Sequence, residues 1–114
     1  MRYHGAVSGK SPRMTLAILD ILDAVISASP DSPAWGLKLC EETGYGTSTV
    51  YPALDRLMKA GWVSDRWEEP APADRPRRRY YEITSEGLAA YEQAARERAI
   101  RRAARRGSKN VADH

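Results

Sequence analysis

A chain of 114 residues, 42% hydrophobic and 29% charged, has the size of one domain with one core, and no room for a second domain is expected. Its most apolar stretch, residues 16–26, is broken by Asp20 and Asp23 and falls short of the ~20 apolar residues a membrane span needs, so no membrane association is expected. The basic start of the chain has no apolar export segment, which points to a cytoplasmic protein.

A lone cysteine, Cys40, excludes an intrachain disulfide, and His4 and His114 stand near opposite ends, so neither a zinc site nor any other cofactor is expected. The net charge of +3 conceals an asymmetry: residues 1–70 carry 7 basic against 9 acidic side chains, and residues 71–114 carry 11 against 6. The basic residues gather at Arg75, Arg77, Arg78 and Arg79 and again over residues 96–109. Such clusters suit polyanions, although a basic run is as often a solvated surface.

Residues 1–13, with Gly5, Gly9, Ser8, Ser11 and Pro12, read as a flexible arm. Ile18, Leu19, Leu22, Val25 and Ile26 then share one helical face, predicting a first helix over 15–29 that the Pro30 and Pro33 segment ends. Trp35, Leu37, Leu39 and Cys40 supply a second, two-turn helix stopped at Gly44. After the turn at residues 44–47, with Thr47 or Ser48 as the cap, a third helix runs from about Ser48 to Ala60, and Gly61 stops it. Val50, Leu54, Leu57 and Met58 form its buried stripe. Thr47, Ser48, Tyr51, Pro52, Asp55, Arg56 and Lys59 are left on its exposed side, with Pro52 placed near the first turn, where a missing N–H costs least.

Residues 62–68 and 80–83 read as paired strands around a long tip, since Pro70, Pro72 and Pro76 disfavour regular pairing and the tip carries Arg75, Arg77 and Arg78. Thr84 caps a last helix over 85–106 whose apolar seam is mostly alanine, with a flexible tail over 107–114. The predicted fold is α+β, mainly α: a winged helix-turn-helix domain over 14–84 followed by one C-terminal dimerisation helix. In that plan the third helix enters the major groove of double-stranded DNA.

Two segments resemble a known family. Residues Thr49, Tyr51, Pro52, Leu54, Arg56, Leu57 and Gly61 match, without a gap, the T-x-Y-P-x-L-x-R-L-x-x-x-G signature of PadR-type transcriptional regulators. Residues 75–87 resemble the family's wing, the R-P-R-K-Y-Y-x-L-T-x-x-G type of run. The chain departs from the pattern at Ser48 and at Asp74, where the family often has glycine. The resemblance covers residues 14–95 and implies a homodimeric repressor that binds an inverted repeat in a promoter and is often released by a small-molecule effector. With one helix after the wing, the chain resembles the shorter subfamily, whose dimer is made by the first and last helices.

Carried over by position, the resemblance places Ser48, Thr49 and Tyr51 against bases and phosphates, and Arg75, Arg77 and Arg78 on the backbone or in the minor groove. Their chemistry agrees. Hydroxyls donate to phosphates or base edges, a tyrosine ring meets a thymine methyl, and arginine pairs with phosphate. Together with Thr47, Arg56 and Lys59 these make the predicted DNA-binding set. Tyr51 could also merely cover the domain, and the basic run over 96–106 could be a solvated helix end. Trp35, Trp62 and Trp67 read as structural before ligand-stacking. No Ser/His/Asp set, phosphate-cradling glycine loop or carboxylate pair appears, so no enzyme is expected. The competing reading is a winged-helix module that binds protein.

Overall fold

Thr15 opens the first helix: its Oγ1 accepts the Ile18 amide at 3.2 Å, and α1 follows over Leu16–Ile26. The structure is a computed structural model that describes residues 12–112, with side chains described as far as Gly107. Most of the arm expected over 1–13, both histidines and the last two residues lie outside the described residues. Helix α1 ends three residues before the predicted Ser29. The Ser27 hydroxyl and amide both turn back to the Asp23 carbonyl, and Ser29 and Ser32 then exchange backbone hydrogen bonds in a tight turn around Pro30.

The next element was not anticipated. Trp35, read from sequence as the start of the second helix, belongs with Ala34 to a short strand, β1 (Ala34–Trp35), and α2 begins one residue later over Gly36–Thr43. Two residues carry no periodicity, so their pairing with a distant strand leaves no local signal. Helix α2 ends at Gly44, whose left-handed backbone (φ 81°) sends its N–H to the Cys40 carbonyl. Helix α3 spans Thr47–Lys59, so α2 and α3 form a helix-turn-helix.

The hairpin follows as β2 (Val63–Trp67) and β3 (Arg79–Ile83). They are antiparallel, Val63 facing Ile83 and Trp67 facing Arg79, and β1 joins the other edge of β3 with Ala34 facing Tyr81. The sheet order is β1-β3-β2. Alternation gives it two faces. Ala34, Val63 and Tyr81 enter the core with Ile21, Leu22, Leu39, Val50, Leu54 and Leu57. Trp35, Tyr80 and Arg66, aligned across the three strands, lie on the outer face. Cys40 is half-buried against that core, as is Trp62.

Helix α4 (Ser85–Ala112) is fixed to the domain at its start. Thr84 Oγ1 accepts the Gly87 amide at 3.0 Å and donates to the Gly61 carbonyl at 2.7 Å, joining the end of α3 to the start of α4. A Cβ on Gly87 would stand 2.1 Å from the Trp62 carbonyl oxygen, so only glycine allows this approach. Farther along, Tyr91 donates to Asp23 on α1 at 2.9 Å and Ala94 is buried. The helix continues six residues beyond the predicted end at 106. Gly107 lies in open space inside it, and glycine in a helix costs only about 1 kcal/mol, too little to stop one that no proline follows. At ~1.5 Å per residue the 28-residue helix is ~42 Å long. No helix among the described residues is long and apolar enough to cross a membrane.

Candidate nucleic-acid interface

Helix α3 divides cleanly. Val50, Leu54, Leu57 and Met58 are buried, as the stripe predicted, and Ala53 is buried with them, while Thr47, Ser48, Thr49, Tyr51, Asp55, Arg56 and Lys59 are exposed. The cap differs from the expectation: Gly46, not Thr47 or Ser48, is the N-cap residue, and no side chain caps the helix. Both hydroxyl residues are therefore helical, and the Thr47 and Ser48 N–H groups, at the positive end of the helix dipole, stay open to an anion, while the Thr49 amide turns back to the Gly46 carbonyl. Pro52 lies in the second turn, deeper than predicted, so no residue-52 amide returns to the Ser48 carbonyl. Arg56 is exposed and makes no hydrogen bond or ion pair among the described residues, whereas Lys59 lies 3.0 Å from Asp55.

Tyr51 is 42% exposed and also seated. A Cβ built on Gly36 would be 2.1 Å from the Tyr51 hydroxyl oxygen and 2.4 Å from Cζ, so the ring rests over the bare backbone at the start of α2. No local pattern points to this seat, because nothing in the spacing of residues 36 and 51 marks a contact between two helices.

The wing treats its arginines unequally. Arg75 makes a two-pronged ion pair with Glu68, Nη1 to Oε1 at 2.8 Å and Nη2 to Oε2 at 2.9 Å. The Arg78 amide donates to Glu68 Oε1 at 3.1 Å and the Tyr80 hydroxyl to Oε2 at 3.1 Å. Held mainly by Arg75 and secondarily by these two donors, against the opposing effect of desolvation, the Glu68 carboxyl falls from its ordinary 4.5 to about 2. The Arg78 guanidinium stacks on the Trp35 ring, 3.7 Å from its centre. Arg77 is exposed with no hydrogen bond or ion pair among the described residues. Arg79, at the root, bonds Asp65 at 2.6 Å and reaches Met58 Sδ at 3.7 Å.

The predicted set thus falls into groups. Thr47, Ser48, Thr49, Tyr51 and Arg56 share the exposed start and flank of α3, and Arg77 stands free on the wing. Arg75, Arg78 and Lys59 already have partners within the chain. Sequence reading missed Glu68, Trp35 and Gly36. The partner of Arg75 is Glu68, seven residues back, and not its neighbour Asp74; the available signal was a carboxylate just before the prolines of a hairpin tip.

A helix-turn-helix whose second helix offers hydroxyls, a tyrosine and an arginine, followed by an arginine-bearing hairpin, defines a winged-helix regulator of transcription. The model of the transcriptional regulator PadR-like family matches residues 33–93, more than half of the chain, and the chain belongs to that family. Among solved structures, that of smu.1704 from Streptococcus mutans UA159 is similar at 25% identity, covering 76% of this chain and 79% of that one with a TM-score of 0.62. A PadR family transcriptional regulator from Eggerthella lenta is similar at 23% identity, with coverages of 73% and 71% and a TM-score of 0.60. A transcriptional regulator from Clostridium thermocellum shares 24% identity, with coverages of 76% and 86% and a TM-score of 0.57. No curated protein matches the sequence.

Proposed function

We propose that this PadR-family regulator is a homodimeric, sequence-specific repressor, working in the cytoplasm, that binds a two-fold symmetric operator. Residues 14–84 bind DNA and the last helix joins the subunits. The observation that carries the reading is the start of α3, which no side chain caps, where the Thr47, Ser48, Thr49 and Tyr51 side chains are exposed beside the open Thr47 and Ser48 N–H groups. Hydroxyls and amides take phosphates, and Tyr51 and Arg56 reach base edges in the major groove. Arg77 supplies a backbone or minor-groove contact from the wing. Arg78 and Lys59 contribute positive potential at short range, and Arg75 lies on the wing, paired with Glu68.

Two features support the dimer. Leu16 is 56% and Ile100 66% exposed, and the groove between α1 and α4 pairs an apolar strip, Leu16, Leu19, Ala95 and Ala99, with Asp20 and Asp23 on α1 and Arg98 and Arg102 on α4. A second copy would cover these surfaces, and a small effector entering the same seam would shift the spacing of the two recognition helices. In vitro selection from random duplexes tests the whole reading. Enrichment of an inverted repeat is expected, with half-sites about one helical turn apart. Absence of any enriched sequence would remove the proposal in favour of a protein-binding module. Repression is checked separately with a reporter behind the selected operator, whose output must fall when the regulator is supplied.

A further inference from the structure

The carboxylate of Glu68 receives four hydrogen bonds: two from Arg75, one from the Arg78 amide and one from the Tyr80 hydroxyl. The Glu68 amide in turn donates to the Arg78 carbonyl at 2.7 Å, so the residue closes the hairpin by main chain and side chain together. Its side chain is only 16% exposed although it stands at the edge of the molecule. Beyond this point the tip has no strand pairing to shape it. The next support is Arg78 on Trp35, and Trp35 leads directly into Gly36, the seat of Tyr51. One negative side chain therefore organises the loop that carries the unpaired Arg77, and the Arg78–Trp35 stack ties that loop to β1, which leads into α2.

We propose that Glu68 is a positioning residue for DNA binding, and that Arg75 serves the fold of the wing rather than a phosphate. The inference rests on the DNA-binding reading of α3 and the wing, and it reverses the sign that charge alone predicts. Glu68 is an acidic group on a DNA-facing element, so its neutralisation should tighten binding if net potential were decisive. If the carboxylate holds the wing in its binding shape, neutralisation weakens binding. Should the loop keep that shape only about a tenth of the time, affinity falls about tenfold.

The experiment compares the full chain with Glu68→Gln, Arg75→Ala, the double variant and Arg77→Ala. Binding to the selected duplex is measured by fluorescence anisotropy over a salt series, and hydrogen exchange follows the Arg78 amide. Glu68→Gln is expected to weaken binding about tenfold and to speed exchange at Arg78. Arg75→Ala should do the same, and the double variant should be little worse than either. The slope of log affinity against log salt should shrink by about 0.9 for Arg77→Ala and stay at the parent value for Arg75→Ala. Binding by Glu68→Gln equal to or tighter than the parent would overturn the inference, as would a loss of slope in Arg75→Ala equal to that in Arg77→Ala. In either case weakening by Arg77→Ala leaves the DNA-binding reading standing. A parent chain that binds no duplex removes both. None of these side chains belongs to the core, so each variant is expected to fold, Glu68→Gln and Arg75→Ala with a lower melting temperature because they lose hydrogen bonds of the Glu68 carboxylate; if Glu68→Gln alone fails to fold, Arg75→Ala carries the same decision.

Discussion

Replacing Gly36 with alanine should disturb DNA recognition without unfolding the domain. The added methyl carbon would lie 2.1 Å from the Tyr51 hydroxyl oxygen, 2.4 Å from Cζ and 2.6 Å from Cε1. Nonbonded carbon contacts settle near 3.5 Å, so the end of the ring must retreat by about 1 Å or more. Tyr51 is 42% exposed and can swing outward, so the collision is relieved by moving the ring rather than the helices. Alanine also favours the helix over glycine by about 0.5–1 kcal/mol, offsetting part of the lost packing. The expected change in stability is therefore within about 1 kcal/mol. Affinity should change more: a displaced base contact is worth about 1–3 kcal/mol, or about fivefold to more than a hundredfold. The assay is a double-mutant cycle with Tyr51→Ala, using anisotropy for affinity and thermal melting for stability. Gly36→Ala should weaken the parent and have little effect once Tyr51 is alanine. Undiminished affinity in the single variant would refute the seating of Tyr51, and an equal loss in both backgrounds would show that it acts by another route.

Gly87→Ala should behave oppositely, because its methyl would meet a backbone carbonyl that cannot swing away; a clear drop in melting temperature is expected, together with loss of the Thr84 contacts at the root of α4. Leu54→Ala, at a fully buried position under the recognition face, should cost about 2–5 kcal/mol in denaturant unfolding. Aspartates at the exposed Leu16 and Ile100 should leave the melting curve almost unchanged while light scattering shows monomers; a persistent dimer would place the interface elsewhere. For the wing, Glu68 titrates lower in the folded chain than in the unfolded one, so its stabilisation is complete above the ordinary value of 4.5 and disappears as pH falls through about 2. Exchange at the Arg78 amide, corrected for its intrinsic pH dependence, should show that protection fading across this interval and holding at neutral pH.

Much of the fold was legible because local pattern and tertiary demand agree. The apolar spacings of α1 and α3, the stops at Gly44 and Gly61 and the proline-rich break between two strands each depend on near neighbours in the chain. The buried stripe Val50, Leu54, Leu57 and Met58 was fixed by periodicity alone, and that same periodicity placed Thr47, Ser48, Tyr51 and Arg56 on the outside. The cap of α3 was harder to read. Glycine and the hydroxyl residues that follow it all suit a helix start, and only the backbone path selects Gly46.

The amino-acid sequence by itself determined that the chain would build a winged helix with a polar recognition face and an arginine-bearing hairpin, because helix period, turn residues and charge clusters act over short separations. Tertiary structure decided which arginines are available. Arg75 and Arg77 are two residues apart and chemically identical, yet one is paired with Glu68 and the other is exposed. The brief β1 strand, the stacking of Arg78 on Trp35 and the seat of Tyr51 on Gly36 likewise arise from groups far apart in the chain. Such contacts depend on where the folded backbone brings the groups, a quantity that no local spacing encodes.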